Sequence, residues 1–464
     1  MGGGTEALEY SLKDIEEWNE RIEKIAKEFG LDYYEQEFEM IGYKEMLAYE
    51  AYLGMPSRYP HWSFGKAYEK SSTIYKYNLS GLPYEMVINS DPCIAYLMKE
   101  NTLLLQILTV AHVYGHNDFF KNNRLFAEGT RASYTVEMFK AHADAVRSYI
   151  NDPSIGYKKV ERILDAAHAI KLQAKRTIGD VKITEEQLKA RIINDYVDSN
   201  TRRSIIEPYE EKKLRDLSKV PLEPEEDILY FIIKYGDLQE WEQNLLEIVR
   251  QETAYFIPQI ETKIMNEGWA SYWHYNILKK LNLRDELYLE FIKRHNDVIA
   301  PGMGSINPYF IGFKIFSFLY EKYGIEKIFE VRELERDESF LRRYLTEELC
   351  NELNLFQYAK KSDKYVIKEV SDKSGWINIR NTLCSSCGMG SVPVIRVLDM
   401  SVQDKTLVIE HVYDGRELNN TYAEETLKYV FELWGHKVIL KTKNDDGEVH
   451  IICEEEGKIV RKTV

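Results

Sequence analysis

The sequence predicts a mainly α-helical large domain followed by a small α+β domain with a mostly antiparallel sheet. Two observations predict it. From about residue 8 to 355, apolar side chains recur at steps of three and four, the period of a helix buried along one stripe. From about residue 363 onward the chain changes to short β-branched runs, which read as strands. The division is placed at 358/359. Residues 1–358 are expected to form the helical domain and 359–464 the small α+β domain.

The elements follow in order. Ser11, with Asp14 three residues on, caps a first helix. Leu12, Ile15, Trp18, Ile22, Ile25 and Phe29 give it one apolar stripe, and Gly30 ends it. An aromatic loop, Met55-Pro-Ser-Arg-Tyr-Pro-His-Trp-Ser-Phe-Gly65, follows. Pro56, Pro60 and Gly65 are expected to forbid a regular helix there. Helical patterns then cover 101–120, 133–150, 158–176, 184–197, 224–236 and 238–281, the last expected to break near Pro258. Further helices fit 285–296, 308–323 and 338–353. Strands fit Tyr365–Val370, Trp376–Arg380, Val392–Met400, Thr406–Val412, Lys437–Thr442 and Val449–Cys453. Thr421–Trp434 is the one helix among them, closed by Gly435.

Composition narrows the function. Lys and Arg number 61 against 76 Asp and Glu, a net charge of -15. Phosphate contacts need a basic surface, so nucleic acid is not an expected partner. The best apolar stretch, 101–120, contains Asn101, Gln106, His112, His116 and Asp118, too polar for a lipid helix, so no membrane insertion is expected. The start, MGGGTEALEY, lacks the basic and apolar regions of a signal peptide. Five Cys, an odd number, argue against a disulfide framework and for a reducing, cytoplasmic location.

The chemistry centres on His112-Val-Tyr-Gly-His116. Positions i and i+4 share one helical face, so both imidazoles can reach one cation. The same face continues from Leu105 and Leu108 and points inward. Two core histidines hydrogen-bonded to carbonyls or carboxylates are the alternative. Asn266-Glu-Gly-Trp-Ala-Ser-Tyr-Trp-His274 sets Glu267 beside Gly268 and two Trp, where a carboxylate must be paired, metal-bound or protonated. His274 lies two turns from Glu267, about 10 Å along the helix. It reads as a group behind the ligands, a substrate contact or a ligand of a second ion. Glu161, Asp165 and His168 share one face, either as a solvated face or as half of a di-metal carboxylate site. Cys384-Ser-Ser-Cys387 has no second pair at zinc-ribbon spacing and reads as two ordinary thiols. Gly302-Met-Gly304-Ser305 is too short a cluster to mean nucleotide binding.

Several segments together resemble the stage V sporulation protein R (SpoVR) family. They are Arg58-Tyr-Pro-His-Trp-Ser-Phe-Gly-Lys66, Tyr84-Glu-Met-Val-Ile-Asn89, His112 through Asn123, Asn266 through His274, Asn307-Pro-Tyr-Phe-Ile-Gly-Phe313 and Leu433-Trp-Gly435. The resemblance runs over nearly the whole chain and implies a cytoplasmic protein needed for spore cortex assembly. The core motifs are also similar to gluzincin-type helical metallopeptidases, which implies a zincin-like helical core. It implies one divalent metal, zinc, on His112, His116 and Glu267. One departure stands out: the residue after the first His, a general-base Glu in those peptidases, is Val113, which takes no proton.

Asp118, His274 and His168 are the candidates to replace that base. Arg58, His61, Trp62, Asn117 and Tyr272 are the expected substrate contacts, and Arg58 suits a carboxylate. The expected function is a metal-dependent hydrolase or amide transferase acting on a peptide-like or cell-wall-precursor-like substrate. A non-catalytic metallopeptidase-like scaffold, binding a protein partner through the C-terminal domain, is the alternative. A di-metal carboxylate oxidase is the third.

Overall fold

A computed structural model describes residues 10–76, 85–179, 183–201, 214–301, 307–361, 364–370, 375–444, 447–454 and 457–463. Residues 1–9 and the Gly302–Ser305 cluster lie outside them. The chain opens with α1 (Leu12–Glu28), β1 (Gln36–Ile41), α2 (Tyr43–Ala51), α3 (Trp62–Lys76), β2 (Glu85–Ile88) and β3 (Cys93–Met98). Then come α4 (Leu103–Asn122), α5 (Arg124–Gly129), α6 (Thr135–Asn151), α7 (Tyr157–Ile170), α8 (Glu185–Thr201), α9 (Ile228–Tyr235) and α10 (Glu240–Glu261). Next are α11 (Lys263–Lys280), α12 (Asp285–Val298), α13 (Pro308–Tyr323), α14 (Ile325–Leu334), α15 (Asp337–Tyr344) and α16 (Glu347–Glu352). The rest is β4 (Phe356–Lys361), β5 (Lys364–Val370), α17 (Gly375–Ser386), β6 (Ile395–Met400), β7 (Leu407–His411), α18 (Asn420–Trp434), β8 (Val438–Asn444), β9 (Gly447–Cys453) and β10 (Ile459–Thr463). The molecule is mainly helical and ends in a small, mostly antiparallel sheet, as the sequence predicts.

Two compact units divide the chain. The first takes residues 1–148 and 254–391, the second 149–253 and 392–464. The split at 358/359 is a division of the sequence by texture; in space the second unit draws on two separate stretches. In the second unit β10-β9-β8-β7-β6 form one sheet. Only β7 and β8 run parallel, joined through α18, which packs on β8 and β9.

The first unit is organised by α4, α11 and α13. Helix α4 is buried on almost every side, from Leu104 to Phe120 without a break. Its neighbours come close because small residues meet at the crossings. A side chain at Gly115 would sit 2.6 Å from the Cα of Ala270, and one at Gly268 would sit 2.3 Å from the Cα of Gly312. Thus the small residues inside the two sequence motifs set the helix spacing. Gly268→Ala is expected to cost on the order of 3 kcal/mol by forcing α11 off α13. Urea melts check this; an unchanged midpoint would mean that the helices do not cross there.

Several elements differ from expectation. A three-stranded sheet, β1-β3-β2, lies within the helical region, with β1 parallel and β2 antiparallel to β3. Strand β3 is an unbroken apolar run, whose periodicity does not separate strand from buried helix. Trp376–Arg380 is helical, part of α17, in which Gly375 and Ile379, one helical turn apart, are both buried. Helix α3 starts at Trp62 and runs through Gly65, so the aromatic loop is shorter than expected. Helix α10 runs through Pro258, and the break falls at Thr262, whose hydroxyl donates to the Pro258 carbonyl at 2.7 Å. Among the described residues, no helix is long and apolar enough to cross a membrane.

Candidate metal centre

The centre is assembled from three elements of the first unit. Thr102 caps α4 by accepting from the Leu105 N–H. One face of that helix then presents His112 and His116, both buried, with ring centroids 4.6 Å apart. Helix α11 supplies Glu267. Its own first-turn donors are capped by Asp337, which accepts from the N–H groups of Ile264 and Met265 at 2.8 and 2.9 Å. The Gly115–Ala270 crossing lays Glu267 against the two imidazoles. Strand β2 adds Glu85.

The donor atoms converge. Glu267 Oε2 lies 3.7 Å from His112 Nε2 and 3.6 Å from His116 Nε2, and Glu85 Oε1 lies 3.8 Å from His112 Nε2. Ligand atoms of Glu85, His112 and His116 all lie within 4.8 Å of one another, and this cluster could hold a metal ion. The separations are too long for hydrogen bonds. They are close to the roughly 3.4 Å expected between two ligands bound at about 2.0–2.1 Å to one tetrahedral cation. His112 Nε2 is buried with no hydrogen-bond partner among the described residues. A buried polar atom in that condition is costly unless something else engages it.

Both histidines are held from behind. His116 Nδ1 lies 2.8 Å from Asn266 Oδ1, and His112 Nδ1 lies 2.9 Å from His274 Nδ1. Each contact leaves Nε2 facing the carboxylates, the arrangement that ligating histidines adopt. Tyr309 of α13 lies nearly parallel to the His112 ring, with centroids 6.2 Å apart, and its hydroxyl helps to lower the Glu267 pKa.

The two carboxylates are driven apart electrostatically. Burial raises the Glu85 pKa; Glu267 adds to the rise and His112 opposes it. For Glu267 burial also works upward, but the two imidazoles and the Tyr309 hydroxyl outweigh it, and its pKa falls below the ordinary value. Among the histidines, burial first and the neighbouring His112 ring second lower His116 and His295 to about 4. Burial lowers His274 well below the usual range.

A histidine depressed in the fold takes up its proton more readily when unfolded. Its share of stability is therefore lost as pH falls from about 6.5 to about 4. His295→Gln should flatten the stability-against-pH curve of the metal-free chain in that window by about 1.4 kcal/mol per pH unit. Urea melts at several pH values check this; parallel curves would contradict it.

The other predicted residues are placed as follows. Asp118 is fully buried and faces Arg332, Trp269 and the Asp32 N–H. Asn117 binds the Tyr34 backbone and Gln36, holding the segment before β1. Tyr272 is buried against Trp269 and Trp273. Arg58 is buried among Tyr59, Phe64, Phe139 and Phe256, its guanidinium 4.8–5.6 Å from their ring centres. His61 Nδ1 contacts the Ser63 hydroxyl, and Trp62 is half-exposed. His168, with Glu161 and Asp165, lies on α7 in the second unit. Cys384 and Cys387 are free thiols, raised by burial, Cys387 to about 12, a condition that disfavours thiolate chemistry.

Sequence reasoning missed Glu85, Asn266, Tyr309 and His295 as site residues. All but His295 fall inside segments that carry the family resemblance. Their roles depend on which strand or helix faces α4, which the spacing along the chain does not reveal.

Comparison with known proteins follows the same residues. The family described as SpoVR like protein matches residues 9–392, and the one described as SpoVR-like C-terminal domain matches residues 393–445. An Escherichia coli (strain K12) protein, "Uncharacterized protein YcgB", is 34% identical over 475 residues, covering 93% of this chain and 92% of its own. No solved structure matches the chain.

Proposed function

The chain belongs to the SpoVR-like protein family, and on that premise we propose that it is a metal-dependent enzyme acting on an amide or peptide-like bond. One observation carries the reading. The buried His112 Nε2 has no hydrogen-bond partner among the described residues, yet the Glu267 carboxylate stands 3.7 Å from it and 3.6 Å from His116 Nε2, the spacing of ligands around one cation. The donors are nitrogen and oxygen only, a set that suits zinc.

In this reading His112, His116 and Glu267 hold the cation, because Glu267 approaches both imidazoles equally. Glu85 approaches from another element and takes the proton-handling role that Val113 leaves open. When bound, the cation would polarise a carbonyl and stabilise the charge that develops on its oxygen. Tyr309 holds Glu267 in place, and Asn266 and His274 fix the two imidazoles. Trp62, His61 and Arg58 belong to the substrate-facing side in this proposal. Family membership suggests a sporulation-related role, and the substrate would be a peptide-like or cell-wall-precursor-like molecule. The cytoplasm is the proposed location, and residues 359–464 are the proposed module for any protein partner.

Metal analysis of the purified chain tests the reading, with about one zinc per chain expected. Iron at about two per chain would favour the di-metal oxidase, and no metal after gentle purification the scaffold. The roles of the carboxylates separate by substitution. Glu267→Gln should weaken zinc binding at least about tenfold, whereas Glu85→Gln should leave about one zinc in place. If Glu85→Gln strips the metal as fully as Glu267→Gln, Glu85 is a ligand and not the base.

A further inference from the structure

Behind His112 lies a row of three rings from three helices. His112 Nδ1 is 2.9 Å from His274 Nδ1, and His274 Nε2 is 2.8 Å from His295 Nδ1. All three are buried. His295 is wedged between Tyr275 and Phe313, with ring centroids 4.6 and 4.9 Å away, so it has little freedom to turn.

Each nitrogen–nitrogen contact holds one proton, with an N–H on one side and a lone pair on the other. A neutral imidazole has one of each. Two proton arrangements therefore satisfy the whole row. In the first, every ring faces the next with its N–H, starting from His112 Nδ1–H. In the second, every proton sits on the opposite nitrogen, and His112 carries its proton on Nε2. Only the first leaves a lone pair on His112 Nε2, where a cation would bind.

We propose that His274 and His295 are positioning residues that lock His112 into its Nδ1–H tautomer, and that cation binding selects one proton arrangement for all three rings. The proposal rests on the metal reading above. Under it, His274 accepts from His112 at Nδ1 and donates from Nε2, and His295 accepts at Nδ1. Neither His274 nor His295 touches the cation. The acceptor lone pair of His295, more than the ring itself, is what the row requires.

The test uses the full chain, zinc as the probe, and two substitutions. His295→Phe keeps an aromatic ring but removes the acceptor. His295→Gln restores an acceptor oxygen for the His274 Nε2–H. Zinc affinity, measured by competition with a chromophoric chelator, is expected to fall about ten- to a hundredfold in His295→Phe. It should return to within about threefold of the parent in His295→Gln. A purely structural histidine would not be rescued in this order, since Phe is the closer match in shape.

Nitrogen-15 solid-state spectra of the histidine-labelled, zinc-loaded parent provide a second readout that needs no variant. They should show His274 and His295 protonated on Nε2 and bare on Nδ1. Parent-like affinity in His295→Phe, or a proton on Nδ1 of His274 in the zinc-loaded parent, overturns the proposal. A parent chain that binds no zinc overturns the metal reading instead. Should His295→Phe fail to fold, the parent spectra and His295→Gln still decide.

Discussion

Replacing His112 and His116 together by alanine is expected to abolish cation binding at the proposed centre and leave most of the helix intact. Both Nε2 atoms face Glu267 Oε2 at 3.6–3.7 Å, so in the proposed centre both imidazoles complete one coordination shell. Loss of two ligands leaves only carboxylates, which hold zinc poorly without nitrogen donors. Zinc content should drop from about one per chain to below about a tenth. The helical circular-dichroism signal should persist, because α4 is held by contacts along its whole buried length and not by these two rings alone. Metal analysis with far-ultraviolet spectra checks both parts. Retained zinc would show that the ligands lie elsewhere.

The second large effect concerns Asp118, two residues from His116 but turned to a different set of partners. Its carboxylate accepts two hydrogen bonds of 3.0 Å from Arg332 Nη1, one of 2.8 Å from Trp269 Nε1 and one of 2.8 Å from the Asp32 N–H. These partners come from α14, α11 and the segment after α1, so one side chain ties three parts of the first unit to α4. Asp118→Ala leaves the buried Arg332 charge uncompensated and is expected to destabilise by about 3–5 kcal/mol. Removing both charges, as Asp118→Leu with Arg332→Met, should cost much less, since the desolvation of two ions is then avoided. Denaturant melts of the single and double variants check this. A single variant as stable as the parent would mean that the ion pair does not hold the fold. With three donor groups making four hydrogen bonds to it, Asp118 is engaged in holding the fold, and that favours Glu85 for the proton-handling role in our proposal.

Much of this was legible in the chain itself. The helical period located α1, α4, α6, α12, α13 and α18 to within a few residues, and the Ser11–Asp14 capping box forms as the spacing predicts. His112 and His116 share a face because four residues make about one helical turn. What spacing could not supply was tertiary. Glu85 reaches His112 only because β2 pairs with β3 and packs against α4. His295 reaches His274 only through the contact of α12 with α11. The glycines carried a hidden signal: Gly115, Gly268 and Gly312 look like weak points in helices, yet each marks a close crossing. Trp376–Arg380 misled because a short aromatic and β-branched run fits a strand as well as a helix turn.

X-ray absorption at the zinc edge on the zinc-loaded full chain tests the metal centre most directly. A first shell of nitrogen and oxygen at about 2.0–2.1 Å is expected, with the outer scattering of two imidazole rings. Sulfur at about 2.3 Å, which would point to Cys384 and Cys387, or a shell without imidazole, would contradict it.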